Sequence, residues 1–463
     1  MQTLKKDWLR PTLTPHRTIG LNKFGAVRRD APIEVIDGVP ISRLLAEYGS
    51  PLFVYSERAL RDNARRLHRA FSSRYPTVIH GWSYKTNYLG AICSVFHQEG
   101  SWAEVVSGFE YEKARSLGVP GDRIIFNGPA KREADLRRAA EEGARIHIDN
   151  FDELARLERI TAARAVPLRV GIRINFETGH TEPWSRFGFH LESGQAMEAV
   201  RRIARAPRLQ LAGIHCHLGT FITDTRAYVA QVHALCGFMR DVEEESGVTI
   251  DYLDIGGGFA SRNALQGVYL PPEEVVPSFD QYAEAICGAL LDATREREAR
   301  GRGRPTLILE TGRAVVDDAG YLLTSVLADK RLPDGRRGLV LDAGVNLLFT
   351  AFWYHHPVRA TRPLDGVPEE TVLYGPLCMN IDVVRNSVLL PPLPVGETLA
   401  ITPVGAYNNT QWLQFIDYRP NVVMVLSDGR THLIRAAEDL AGVTANERVP
   451  PHLADAPSWA EAV

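Results

Sequence analysis

Apolar and polar positions follow two different rhythms along the chain. Between residues 77 and 311, short runs rich in Val, Ile and Leu end in small or polar residues, and stretches with apolar residues every three or four positions follow. The runs are TVIHGWSY (77–84), WAEVVS (102–107), RIIFNG (123–128), RIHIDN (145–150), LRVGIRIN (168–175), LAGIHCHLG (211–219), DYLDIGGG (251–258) and TLILET (306–311). Helical candidates such as YEKARSLG, KREADLRRAAEEG and FDELARLERI lie between them. Eight strands alternating with helices predict an α/β fold, a closed (β/α)8 barrel. An open doubly wound sheet is the alternative, and strand count does not decide between them.

Upstream, PLFVYS predicts a short strand. Ser56 then caps a helix over SERALRDNARRLHRAF, where Leu60, Ala64 and Leu67 fall near one face. Residues 1–50, with Pro11, Pro15, Pro32 and Pro40 spaced through them, predict an extended arm with short strands. After residue 312 the runs are strand-like and separated by turns: AVVDDAGYLLTSVLADK, RRGLVLDAG, ETLAITPVGAY and NVVMVLSDGRTHLIR. KRLPDGRR (330–337) predicts a hairpin turn, PVRATRPLDGVPEE (357–370) a loop, and the prolines of LLPPLPVGE (389–397) exclude a central strand. The expected organisation is an arm over 1–50 that contributes to the β domain, a barrel over 51–312 and a mostly β domain over 313–463.

Composition narrows the class. The 463 residues are 45% apolar and 24% charged, as in a packed globular protein. With 53 basic and 56 acidic residues the net charge is -3, so bulk charge argues for neither a nucleic-acid nor a membrane partner. Five cysteines without a CxxC pair fit a reducing, cytoplasmic setting. MQTLKKDWLR and the residues after it lack the apolar stretch of a signal peptide, and no apolar run is long enough to span a bilayer.

On a barrel, the carboxyl ends of the strands carry the chemistry. Lys85 follows the first strand and would point to the mouth. The seventh strand ends in Gly256, Gly257 and Gly258, whose N–H groups would cradle an anion, or simply form a tight turn. The eighth supplies Glu310, Gly312 and Arg313, and the guanidinium is suited to a bidentate pair with a phosphate. His215 and His217 share a face of the sixth strand while Cys216 points away, which argues against a metal site made from that tripeptide. His217 over a bound ring, or two buried histidines satisfied by hydrogen bonds, are both open readings.

GWSYKTN, SWAEVVSG, GIHCHLGT, LDIGGG, ETGR, LYGPLCMNID and VGAY occur in an order that resembles the fold type III pyridoxal-phosphate decarboxylases, the family of diaminopimelate and ornithine decarboxylases. The resemblance spans roughly residues 50 to 440 and implies an alanine-racemase-like architecture and a homodimer with active sites at the interface. It implies pyridoxal 5'-phosphate as cofactor, a small amino-acid-type substrate, and decarboxylation of that substrate in a biosynthetic pathway. Lys85 then matches the cofactor-bearing lysine and Glu104 an acidic residue near it. Arg173 matches the fifth-strand arginine, His217 the histidine stacked on the pyridine ring, and Thr220 a phosphate-binding serine. Gly256, Gly257 and Gly258 match the phosphate loop, Glu310 the partner of the pyridine nitrogen, and Arg313 the arginine near the phosphate, which also contacts substrate. Gly312 belongs to the same cofactor-binding motif. Cys378 matches a proton donor given across the dimer interface, Asp382 a substrate-side aspartate, and Tyr407 a tyrosine reaching the phosphate.

Two departures bear on substrate. Met379 and Asn380 stand where the family usually has Glu and Ser, which removes a partner for a distal ammonium. Thr350 stands where diaminopimelate decarboxylase has the arginine that clamps the distal carboxylate, four residues before Tyr354. Phe352 and Trp353, with His355 and His356, predict either a wide aromatic pocket or dimer packing. The expected activity is loss of the α-carboxylate of an amino acid or conjugate. Racemisation or elimination on the same cofactor, and a catalytically degenerate cofactor-binding protein, are the alternatives.

Overall fold

The computed structural model describes residues 31–268 and 271–454. Most of the expected amino-terminal arm, residues 1–30, lies outside the described residues.

Eight parallel strands close into a barrel: Val78–Ser83, Trp102–Val105, Ile124–Phe126, Arg145–Ile148, Leu168–Asn175, Leu209–His215, Tyr252–Asp254 and Thr306–Leu309. Closure is explicit, because the last strand pairs with the first and the sixth pairs with both the fifth and the seventh. The open sheet is thereby excluded. All eight expected strands are present, each within a few residues of its sequence run. Small residues tune the interior. A Cβ on Gly171 or Gly213 would collide with the rings of His147 and Tyr252, which fill the barrel there.

The second sheet follows the order Val383–Leu390, Glu369–Tyr374, Arg337–Leu341, Gly320–Arg331, Leu52–Ser56, Asn421–Val425, Thr431–Arg435, with Thr398–Ile401 and Val358–Ala360 attached. Leu52–Ser56, placed in the barrel by a boundary at residue 51, is instead hydrogen-bonded between two strands of this sheet. Its five residues are all buried, and it hands the chain directly to the first outer helix, Glu57–Ser72. Ser56 caps that helix by accepting the Ala59 N–H at 2.9 Å, and Leu60, Ala64, Leu67 and Phe71 form its buried stripe. KRLPDGRR is a hairpin turn, with Arg331 opposite Arg337.

Two expectations need correction. Ile41–Tyr48 is helical rather than extended: Ile41, Leu44, Leu45 and Tyr48 recur at helical spacing and cover one face of the second sheet with Leu52, Val54, Leu323 and Val423. The run AVVDD is a helical turn, Arg313–Val316 and Asp317–Ala319, before its strand begins at Gly320.

The β domain reaches the barrel mouth through backbone contacts. The Tyr407 N–H donates to the Thr86 carbonyl at 2.8 Å and the Thr410 hydroxyl to the Lys85 carbonyl at 2.9 Å. Tyr407 itself adopts a left-handed conformation, φ 66°, which costs a non-glycine residue about 1–3 kcal/mol and is kept because both bonds fix it.

Candidate active site

At the carboxyl ends of the barrel strands a cavity of about 720 Å³ opens under the β domain. Lys85, Glu104, Arg173, His217, Thr220, Gly258, Glu310, Gly312, Arg313, Tyr354 and Tyr407 all line it. These residues come from eight segments far apart in sequence, so their convergence is a product of the fold.

Lys85 sits in a helical turn, Tyr84–Thr86, immediately after the first strand. Its amine lies 2.6 Å from Glu104, at the second strand. Burial alone would lower the ammonium's pKa; the Glu104 carboxylate, with Glu310 behind it, more than offsets this and raises it. Glu104 also accepts from Ser83 at 2.5 Å and from Asn127 at 3.0 Å. Asn127 donates to Glu310 as well, at 2.5 Å, and so ties the two carboxylates together. The Asn127 side-chain oxygen, Oδ1, takes the Nδ1–H of His147 at 2.7 Å, leaving His147 Nε2 to accept the Tyr252 hydroxyl at 3.1 Å.

Sequence reasoning missed Asn127, His147 and Asp254. Asn127 and Asp254 are polar residues at the ends of barrel strands, and that position was the available signal. Burial pushes the Asp254 carboxyl well above the usual carboxylate range, and nearby Glu310 adds to the effect. His147, His215 and Glu310 offer ligand atoms within 4.8 Å of one another. His147, however, spends both nitrogens on Asn127 and Tyr252, and Glu310 is bound by Asn127. His147 and Glu310 are thus committed to hydrogen bonds, while His215, whose ring nitrogens have no hydrogen-bond partner, lines the cavity beside Glu310. A fully buried ion pair, Lys131–Glu153 at 2.8 Å, also escaped the sequence reading; Lys131 further donates to the carbonyls of Gly128 and His147 and braces the rim there.

The triple glycine behaves differently from expectation. The Gly256 N–H is taken by Asp254 at 2.8 Å and the Gly257 N–H by His217 Nδ1 at 3.0 Å. Gly256 and Gly257 therefore position other groups and do not line the cavity, and Gly258 is the glycine that faces it. No side chain could stand at Gly258, since its φ is +93° and a Cβ would lie 2.6 Å from the Gly219 carbonyl oxygen. Burial, with Arg173 and Lys85 adding to it, holds the His217 imidazolium well below its usual range, so the ring is neutral.

Arg313 donates to Thr220 at 3.1 Å and lies over the rings of Tyr407 and Tyr354, at 4.6 and 5.3 Å. Phe352, Trp353 and Tyr354 line the cavity, whereas His355 and His356 do not. His356 is buried against the Thr350 hydroxyl at 2.8 Å, and Thr350 also bonds Asn408.

Three expected residues stay apart. Cys378, Met379 and Asp382 do not line the cavity of their own chain. Cys378 is exposed. Asp382 is 3% exposed, and its two oxygens accept the Val345 and Leu377 N–H groups, each at 2.8 Å. It folds its own loop, which corrects the substrate-side reading of this aspartate.

The residues present suit pyridoxal 5'-phosphate. Lys85 offers an amine for its aldehyde and Glu310 an anion for its ring nitrogen. Gly258, Thr220 and Tyr407 offer donors at a cradle that a side chain would fill.

Comparison with known proteins agrees. The family described as "Pyridoxal-dependent decarboxylase, pyridoxal binding domain" matches residues 61–317. The diaminopimelate decarboxylase of Methanothermobacter thermautotrophicus is 34% identical over 90% of this chain and 96% of its own. That of Methanocaldococcus jannaschii is 30% identical over 90% and 95%. The crystal structure of the Methanocaldococcus jannaschii enzyme in complex with L-lysine superposes with a TM-score of 0.82 at 29% identity, covering 90% of this chain and 96% of that one. With more than half its length matched to the pyridoxal-binding domain and nearly all of it aligned to these relatives, the chain belongs to the fold type III pyridoxal-phosphate-dependent amino-acid decarboxylases.

Proposed function

We propose that the active unit is a homodimer, working in the cytoplasm on a small amino-acid substrate, with Lys85 as the cofactor-bearing amine. The Cys378 loop of a second copy supplies the proton donor. The observation that carries this reading is the Lys85 amine held at 2.6 Å by Glu104 in the cavity that Glu310, His217 and Gly258 also line. The dimer is supported by an exposed Cys378 on a loop that misses its own cavity. The cytoplasmic setting is supported by five free cysteines, and among the described residues no helix is long and apolar enough to cross a membrane.

When bound, the cofactor supplies an electron sink for the pair released at the substrate's α-carbon. The chain's residues do the rest. Gly258, Thr220 and Tyr407 would hold the phosphate, and Glu310 would pair with the ring nitrogen. Glu104 keeps the Lys85 amine in place, and neutral His217 lines the same space without adding charge. The bond between the α-carbon and its carboxylate breaks, carbon dioxide leaves, and the Cys378 thiol gives the α-carbon a proton. The thiolate then recovers a proton from water, and the product is an amine.

Diaminopimelate, the substrate named for the relatives, is the first compound to assay. Carbon dioxide release with a decarboxylated product, from it or from another α-amino acid, is the result expected of a decarboxylase. Retention of the α-carboxylate with a change in chirality, or with loss of a side-chain group, would instead mean racemisation or elimination. Borohydride treatment of the holoenzyme followed by peptide mapping should label Lys85, and a label elsewhere overturns its assignment.

A further inference from the structure

The two carboxylates that line the cavity are both spent at its inner end. Glu104 holds Lys85, Ser83 and Asn127, and Glu310 holds Asn127. The outer end is walled by rings: Trp184, Phe187, Phe221, Phe352 and Trp353. Its charges are guanidiniums. Arg173 lies 4.4 Å over Phe187. Arg313 is 7% exposed, with one nitrogen on Thr220 and Nη1 buried without a hydrogen-bond partner. Among the described residues no further carboxylate lines the cavity.

This wall is set by backbone pairing. The Gln266 N–H donates to the Trp353 carbonyl and the His355 N–H to the Ala264 carbonyl, both at 2.8 Å, and the Gln266 side chain holds the Ala351 carbonyl at 2.7 Å. Phe352 and Trp353 are therefore in place before any ligand arrives. The loop that a second copy would bring to the mouth presents Cys378, Met379 and Asn380. Its one carboxylate, Asp382, is buried on two backbone amides.

A substrate ammonium at the end remote from the α-carbon would lose its water beside two guanidiniums and meet no free carboxylate. A carbonyl or carboxylate oxygen would satisfy Arg313, and a flat group would lie against the rings. We infer that the enzyme selects an α-amino acid with no free distal ammonium, its side chain ending in an acyl group. This rests on the dimeric decarboxylase reading above and specifies its substrate class.

The test uses the holoenzyme with Nε-acetyl-L-lysine, Nε-succinyl-L-lysine, L-lysine and diaminopimelate, and reads two signals. The change in the cofactor's visible absorbance on titration reports binding, and carbon dioxide release reports reaction. At least one acylated lysine is expected to saturate at a concentration about tenfold or more below that of L-lysine and diaminopimelate. Failure of both acylated compounds to bind ahead of the others, including no response at all, overturns the inference. An absorbance response in the expected order without carbon dioxide supports the selectivity and overturns the decarboxylase reading instead. In the Met379→Glu variant the restored anion should shift the ranking about tenfold toward L-lysine. An unchanged ranking overturns the placement of Met379 at the distal end.

Discussion

At the inner end of the cavity the charged side chains of Lys85, Glu104 and Glu310 are all tied to neighbours. Lys85, Ser83 and Asn127 converge on Glu104, Asn127 continues to Glu310, and His147 and Tyr252 support Asn127 from below. At the outer end the rings of Trp184, Phe187, Phe221, Phe352 and Trp353 form the wall, and Arg313 keeps a nitrogen unpartnered. The first arrangement fixes charges in advance, which is what bond-breaking at an α-carbon requires. The second leaves polar demands open for a ligand to meet, which is how a site chooses among ligands. Chemistry and selectivity are thus carried by different physics within one cavity. Substitutions at the two ends should fail in different ways.

The largest effect is expected at Lys85. Lys85→Ala should lose on the order of 10³-fold or more in kcat, the scale seen when a covalently acting group is removed. Steady-state carbon dioxide release measures it. Mixing Lys85→Ala with Cys378→Ala subunits under exchange should restore about one quarter of wild-type activity, because half the dimers are then mixed and each carries one intact site. No recovery would confine each site to one chain.

Next comes Asn127→Ala, which leaves two buried carboxylates short of a donor. A hydrogen bond to a charged group is worth about 1.5–3 kcal/mol, so kcat should fall roughly 10- to 10²-fold with weaker cofactor retention. Trp353→Ala, at the outer end, should act on KM, raising it about tenfold with kcat nearly unchanged. If Trp353→Ala lowered kcat as Asn127→Ala does, the division between the two ends would be lost.

The same division decided what could be read from the chain itself. The barrel was legible because period and strand-end chemistry are local: Lys85, Glu310 and Arg313 are recognisable from the strands that precede them. The course of Leu52–Ser56 was not, since its partners Gly320–Leu323 and Asn421–Val425 lie hundreds of residues away and a five-residue apolar strand fits either sheet. Gly256 and Gly257 looked like anion donors because a sequence shows free N–H groups and not which side chains claim them; here Asp254 and His217 do. The substrate-side role of Asp382 rests on the family resemblance alone, and the Val345 and Leu377 amides claim both of its oxygens instead.

The smallest effect is a test of how tightly the inner end is built. Glu110 is 5% exposed, and it accepts the N–H of Val106, a cavity-lining residue two positions beyond Glu104, at 2.8 Å. Burial raises its carboxyl to about 7, against the opposing pull of Lys85 and with a further push from Glu104. The unfolded chain releases this proton near 4.5, the ordinary value for glutamate. Between those two values the folded state holds a proton that the unfolded state has lost, so stability falls as pH rises through the window and is level above it. Glu110→Gln keeps an acceptor for Val106 and removes the titration. Denaturant unfolding at pH 5 and pH 8 should show the wild type losing more stability than the variant over that interval, by about 3 kcal/mol or less. Equal losses would mean that Glu110 is already ionised at pH 5, and that the inner end carries one more buried charge than its hydrogen bonds account for.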